Sequence, residues 1–483
     1  MSRIVVGPFN RVEGDLEVSL DIENGQVSSA QVNSPMFRGF ERIMQEQSPM
    51  DALVYTPRIC GICSVSQSVA CAKALADLMK VDMPPNGELA INLLLANENM
   101  ADLLTHFYLF FMPDFCRDVY ADKPWFNEVN ARFKATQGRA AQAMLPARAE
   151  FLHLMGIMAG KWPHTLSIQP GGSAKPIEPQ ERIRLLAIIG SFRRFLEEHL
   201  FGANLDEIVQ LDSIAALNRW RDQADWRQSD FRTFLHISDD LGLAELGRGT
   251  NQFLSFGNYA LQGEKLFKAG AYLHGERQAL APEMIREDLA YSWMQGPAEP
   301  QHPTEGVTEP SLDNPDAYTW CKAPRLNGQV VEVGAIARQF INGHPLIEAL
   351  VAQRGTNVES RIIARMLELA IVIPQMQEWV KQIDPKGDFC YRGALPKEGS
   401  GVGIVEAARG SLGHWLSVSG GKISHYQIIA PTTWNFSPRD QDAIPGVLEQ
   451  ALVGASVIDG EKEPVSVQHI VRSFDPCMVC TVH

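Results

Sequence analysis

The chain has 483 residues, 45% of them hydrophobic, enough to bury a large core. Its formal net charge of −14, from 43 basic and 57 acidic side chains, offers no basic surface for nucleic acid. No apolar run approaches the roughly 20 residues that span a bilayer, and Met1 to Val6 lack the apolar stretch of a signal peptide. A cytoplasmic protein with no membrane span is expected.

Residues 16–22 and 26–32 flank Asn24-Gly25, the dipeptide of a tight type I′ hairpin. Residues 66–80 carry Ala and Leu at helical spacing, and 89–112 are apolar nearly all round, as in a central core helix. Further helices are expected over 179–201 and 359–383. The second would start from a Thr356-x-x-Glu359 capping box, with Pro374 as a place for a kink. Residues 225–345 turn rich in Gly, Pro, Trp and Tyr, with short strand-like pieces such as 257–272, and 465–474 read as a strand. The expected fold class is mainly α (α+β), a large helical core with small peripheral β-hairpins.

Eight cysteines are present, and four of them form two pairs: Cys60-Gly61-Ile62-Cys63 and Cys477-Met478-Val479-Cys480. A CxxC pair grips a metal from one side, and thiolates suit Ni, Fe, Cu(I) or Zn; four can share two metals if two sulfurs bridge. A structural zinc site usually draws its pairs from a small lobe, whereas roughly 400 residues separate these. If both pairs hold one centre, the two ends of the chain must meet in one core. Residues 1–483 are therefore expected to form a single interlocked domain. Cys71, Cys116, Cys321 and Cys390 lack cluster spacing and are expected to be buried thiols.

The cysteine pairs lie in longer strings, Arg58-Ile59-Cys60-Gly61-Ile62-Cys63 and Asp475-Pro476-Cys477-Met478-Val479-Cys480-Thr481-Val482-His483. Other strings are Arg11-Val12-Glu13-Gly14, Phe37-Arg38-Gly39-Phe40-Glu41, His106-Phe107-Tyr108 and His302-Pro303-Thr304-Glu305-Gly306. Lys322-Ala323-Pro324-Arg325, Glu332-Val333-Gly334, the Glu406–Trp415 string and the Tyr426–Asn435 string come after them. In content and order these resemble the large subunit of [NiFe] hydrogenases.

The resemblance implies the hydrogenase large-subunit fold and reversible heterolytic splitting of H2. Cys60 and Cys477 would be terminal Ni thiolates, and Cys63 and Cys480 would bridge Ni and Fe in a Ni–Fe(CN)2(CO) centre. Pro324, Arg325, Ala430, Pro431 and Thr432 would line the diatomic-ligand pocket, where cyanide nitrogen accepts hydrogen bonds. Arg325 would overhang the metals, oriented by Asp102 and Asp475, although Asp475 could equally cap the turn before Cys477. The Cys477 sulfur would take the first proton and Glu13 the next; otherwise Glu13 is a loop carboxylate holding backbone amides. Glu41, the Ile428 carbonyl and His483 would hold Mg2+. Electrons would leave through the Fe–S clusters of a partner small subunit.

Three positions depart from the commonest pattern. Gln67 stands where a histidine usually comes after the first cysteine motif, Ile62 replaces valine between the cysteines, and Phe110 replaces a smaller residue on the gas path. Together they resemble the regulatory, hydrogen-sensing branch, the HoxC/HupV type. There turnover is low, oxygen is tolerated, a sensor histidine kinase receives the signal, and the heterodimer forms a higher oligomer. A chain ending at His483 fits this branch or an uptake enzyme in processed form. A quinone-reductase subunit of the same fold is disfavoured because the metal cysteines are intact, and a zinc-stabilised interaction protein by their spacing.

Overall fold

The computed structural model describes residues 2–458 and 460–483. It opens with an antiparallel sheet of β1 (Ser2–Val6), β2 (Glu17–Glu23) and β3 (Gln26–Asn33), with β2 in the centre. Asn24 and Gly25 join β2 to β3 with φ of 52° and 75°, the two left-handed residues a type I′ turn requires. Val18 pairs with Val32 and Leu20 with Ala30, all on the buried face.

The helical core comes next. Helix α1 (Ser64–Met79) starts directly after Cys63, and α2 (Pro85–Thr105) is buried at every position from Leu89 to Thr105. Helices α3 (Arg139–Ala159) and α4 (Pro179–Phe195) extend this core. The expected helix to residue 112 ends early, because the chain widens into a π turn at His106–Phe111. The segment to 201 does the same after α4, at Leu196–Phe201. Such turns swallow one extra residue and re-aim the chain beyond them.

Strands β4 (Ile285–Asp288) and β5 (Ala323–Leu326) pair within the irregular middle of the chain, and the 257–272 segment holds three short strands. Helix α5 (Ala335–Asn342) precedes α6 (Val358–Gln382). The cap of α6 is Asn357, whose side chain accepts from Ser360 N at 2.9 Å. The predicted Thr356–Glu359 box does not form, because the Thr356 hydroxyl is drawn to Glu332 at 3.0 Å. Pro374 sits inside α6.

The last sheet, β6 (Gly399–Ala407), β7 (Gly410–Ser419) and β8 (Lys422–Ile429), lies inside the molecule against α1. A Cβ on Gly401 would stand 2.1 Å from the Ala74 carbonyl oxygen, and one on Gly403 1.9 Å from that of Ala70. Helix backbone thus rests directly on strand backbone. Residues 465–474 are not a strand: α7 (Val465–Ser473) buries Val467, Ile470 and Val471, which share one helical face. Apolar residues spaced at a 3.6-residue period outweigh the β preference of Val and Ile. The class is mainly α with small sheets, as the sequence led one to expect. Among the described residues, no helix is long and apolar enough to cross a membrane.

Gly403→Ala should force α1 off β6 and cost about 1–3 kcal/mol of stability or more, read as a lower unfolding temperature. Gly156→Ala, on a helix face with nothing within 4 Å of the new Cβ, should instead gain about 0.5–1 kcal/mol.

Candidate metal centre

The two CxxC loops meet. Cys60 Sγ lies 3.5 Å from Cys477 Sγ, Cys63 Sγ 3.0 Å from Cys480 Sγ, and Cys477 Sγ 3.3 Å from Cys480 Sγ. All four sulfurs lie within 4.8 Å of one another, all four residues are buried, and none is in a disulfide. Of the remaining cysteines, Cys71 and Cys321 are buried as expected, while Cys116 and Cys390 are only partly so.

Each loop is held from several sides. Glu98 on α2 caps α1 just past Cys63, accepting from Val65 N at 2.8 Å and Ser66 N at 2.9 Å. The hydroxyls of Ser64 and Ser66 and the Trp162 indole donate to the same carboxylate. A negative group at a helix N-terminus meets orphan amides and the positive end of the dipole. Burial nevertheless pushes its pKa up to about 7. The Arg38 guanidinium donates to the Ile59 carbonyl at 2.5 Å and to that of Val479, tying one loop to the other. Cys477 N donates to the Thr432 hydroxyl at 3.1 Å, and Met478 N to the Glu13 carbonyl at 2.6 Å. Glu13 and Cys477 also form a parallel bridge. Ala430 and Pro431 lead into the short helix that carries Thr432 and packs on residues 478–481.

The arginine beside the thiols is Arg409, in the turn between β6 and β7. It donates to Asp102 at 2.7 and 3.2 Å, to Asp475 Oδ1 at 3.1 Å and to the Asp475 carbonyl at 2.9 Å. Burial opposes its charge, but Asp102, Asp475 and the thiols of Cys477 and Cys63 outweigh it and hold the pKa well above the ordinary value. Arg325, expected in this place, is elsewhere. Its guanidinium is spent on Asp440, Ser437 and the carbonyls of Pro324, Pro438 and Ile444. Pro324 is locked with it in β5, paired with β4. Asp102 and Asp475 do grip a guanidinium as expected, but it belongs to Arg409. The Glu406–Trp415 string contained the signal, an arginine just before Gly410, whose φ of 132° suits the tight entry to β7.

Gln67 stands between the thiols and β7. Its amide nitrogen is 3.9 Å from Cys480 Sγ, and its oxygen is 2.8 Å from His414 Nε2. Ile62 and Phe110 are half-buried, Ile62 between the first two cysteines and Phe110 on the π turn after α2.

Glu13 is half-buried. Burial raises its pKa, Arg409 pulls it back, and Cys60 and Asp475 raise it further. Raising the pKa favours the neutral carboxyl, the direction a proton relay needs.

A second polar site adjoins the first. His483 Nε2 is 2.6 Å from the Ile428 carbonyl and 3.2 Å from Glu41 Oε1, and His483 Nδ1 is 3.0 Å from the Cys480 carbonyl. Lys322 Nζ lies 3.7 Å from both Glu41 and Glu287. Against the cost of burial, Lys322 and His483 bring the Glu41 pKa down to about 2. Glu287 Oε2 has no hydrogen-bond partner in the protein, and the enclosed space is about 20 Å³. An imidazole nitrogen, a carbonyl and a carboxylate converging beside an orphan carboxylate oxygen fit one small divalent cation.

Both donor sets therefore fit the groups the sequence implies. Four thiols this close cannot ionise together in a buried space unless cations offset them. Soft sulfur donors and a single adjacent guanidinium suit a Ni–Fe pair with anionic ligands.

Comparison with known proteins agrees. A family model described as nickel-dependent hydrogenase matches residues 38–134 and 142–483. Over all of this chain and 95% of the relative, identity is 27% to the periplasmic [NiFeSe] hydrogenase large subunit of Desulfomicrobium baculatum. It is 28% to the hydrogenase-2 large chain of Escherichia coli K12, covering 97% of that protein, and 25% to the uptake hydrogenase large subunit of Rubrivivax gelatinosus, covering 95%. The solved Dm. baculatum [NiFeSe]-hydrogenase superposes with a TM-score of 0.87 at 25% identity, with both chains fully covered.

Cys477→Ala should abolish nickel retention, checked by metal analysis of the purified complex. Arg409→Lys keeps the charge but loses the forked grip, and should cut H2-dependent dye reduction roughly 100-fold per nickel. Arg325→Lys should lower thermal stability while leaving the rate per nickel unchanged; equal losses in both variants would refute the placement of Arg409.

Proposed function

The chain belongs to the nickel-dependent hydrogenase family, and from that premise we propose that it is the active-site subunit of a hydrogen-sensing [NiFe] hydrogenase. The observation that carries the hydrogenase chemistry is the convergence of four buried thiols beneath Arg409 and its two carboxylates. When bound, the metal pair would supply the centre at which H2 is polarised and split.

The protein's own groups serve the proton and the ligands. Cys60 and Cys477 would hold nickel, and Cys63 and Cys480 would be shared between nickel and iron. The Cys477 sulfur is the first proton acceptor, and Glu13, bridged to Cys477 through the backbone, is next. From there the proton leaves through the half-exposed face that Glu13 occupies. Arg409 faces the open side with its position fixed from two directions. Ala430, Pro431 and Thr432 would wall the pocket, and Glu41, the Ile428 carbonyl and His483 would hold Mg2+. Among the described residues no second group of cysteines is gathered as an Fe–S cluster needs, so electrons pass to the Fe–S clusters of a small subunit. We take residues 1–483 as one interlocked domain.

The sensing role rests on Gln67, Ile62 and Phe110. A glutamine contacts the bridging sulfur of Cys480 where relatives of the commonest pattern carry a histidine, and two bulky side chains take gas-path positions. On this reading turnover is low, oxygen is tolerated, a histidine kinase receives the signal from a cytoplasmic higher oligomer, and hydrogenase gene expression is the target. A second reading, an uptake enzyme with full turnover, is favoured by the names of the relatives, which include uptake and periplasmic enzymes.

An infrared spectrum of the assembled complex in the CO and CN region, taken under H2 and again after air, separates the two. Bands that respond to H2 and show no oxygen-inactivated form in air are expected for the sensor; conversion to inactive oxidised forms would establish the uptake enzyme instead. Ile62→Val with Phe110→Leu should preserve H2 oxidation and make it oxygen-sensitive. Equal activity of that variant in air would remove the gas-filter argument.

A further inference from the structure

Behind the metal centre, the chain makes a tight turn from α7 into Asp475, whose φ is 58°. Two buried side chains from other helices close on this turn. His106, at the end of α2, places Nε2 2.6 Å from the Arg472 carbonyl, and Arg365, on α6, places Nη1 2.6 Å from the Ser473 carbonyl. Asp475 N also donates to the Arg472 carbonyl, at 3.1 Å. Three polar atoms around the turn have no partner in the protein: His106 Nδ1, Arg365 Nε and Asp475 Oδ2. All three residues are at most 5% exposed.

Unpartnered polar atoms so deep are uncommon, and three on one turn ask for a common explanation. Their chemistry is complementary. The Arg472 carbonyl can only accept, so His106 carries its proton on Nε2 and offers a bare lone pair at Nδ1. The ring stays neutral, since burial brings its pKa down to about 4. Arg365 Nε–H can only donate, and Asp475 Oδ2 can only accept. Asp475 and Arg365 are also the charged groups that act most strongly on the His106 ring, and Asp475 the one that acts most on Arg365.

We propose that one buried water molecule is bound here, accepting from Arg365 Nε and donating to His106 Nδ1 and Asp475 Oδ2. Two donors and an available lone pair are what the three atoms require. A chloride could not donate, and an ammonium could not accept. A direct Arg365–Asp475 bond would still leave the histidine unpaired. The water fixes the second oxygen of Asp475, whose first oxygen holds Arg409 at 3.1 Å. His106 and Arg365 are thus positioning residues, acting on the arginine at the metal centre from behind.

The test is a crystal structure of the assembled large and small subunits at a resolution that shows ordered water. One density peak within roughly 2.6–3.2 Å of all three atoms is expected. Its absence, or a direct protein bond to Asp475 Oδ2, overturns the proposal. In His106→Phe the peak should disappear and the CO and CN stretching bands should shift, with nickel content as in the parent complex. An unchanged peak and unchanged bands in that variant would equally overturn it.

Discussion

Four thiols brought into one buried space by segments 417 positions apart are the constraint on which the rest of this structure depends. Such a cluster is unfavourable by itself, because burial disfavours each thiolate and every thiolate disfavours the next. It persists only if cations offset it and if the loops cannot drift. Metal supplies the first requirement. The second falls to a set of buried polar contacts that reach the loops from every side, and one helix contributes two of them. Glu98 and Asp102 stand one turn apart on α2; the first caps the helix that begins after Cys63, the second holds Arg409.

Helix α6 plays the corresponding part for the C-terminal loop. Arg361, Arg365 and Glu368 fall at helical spacing on one face, all buried. Arg361 is paired with Glu332 at 2.7 Å and lies over the Phe474 ring, while Arg365 takes the Ser473 carbonyl. Glu368 pairs with Arg338, which also binds Glu406 and the carbonyls of Ala407 and Ala408, next to Arg409. Buried ion pairs seldom add net stability over apolar packing, and breaking one partner is costly. Their value here is positional. Both the turn that delivers Arg409 and the turn that delivers Cys477 are fixed by groups with no other way to satisfy their charge.

What the sequence revealed and what it hid divide along this line. The cysteine pairs, the Asn24-Gly25 hairpin and the all-round apolar α2 carry their meaning locally, in spacing and in turn chemistry. The choice between Arg325 and Arg409 does not, since each is an arginine in a recognisable string and both are buried. Only the tertiary path decides it: β5 turns Arg325 toward Asp440, and the β6–β7 turn brings Arg409 between Asp102 and Asp475. The segment 465–474 failed for another reason. Its Val and Ile residues favour strand as individuals, but Val467, Ile470 and Val471 recur at the helical spacing.

The Gln67 amide shows how a single atom assignment bears on function. A metal-bound thiolate accepts hydrogen bonds and does not donate, so the amide NH2 must face Cys480 and the oxygen must face His414. His414 then carries its proton on Nε2, and its Nδ1, 2.8 Å from the Tyr426 hydroxyl, accepts from it. Burial brings the His414 pKa down to about 3, so the ring stays neutral. The Cys480 sulfur thus receives a weak hydrogen bond from a group that does not titrate. An imidazole at position 67 could donate the same bond and also exchange a proton with the sulfur. The amide keeps the electronic effect of the bond and offers no proton path, the feature on which the proposed sensing role draws.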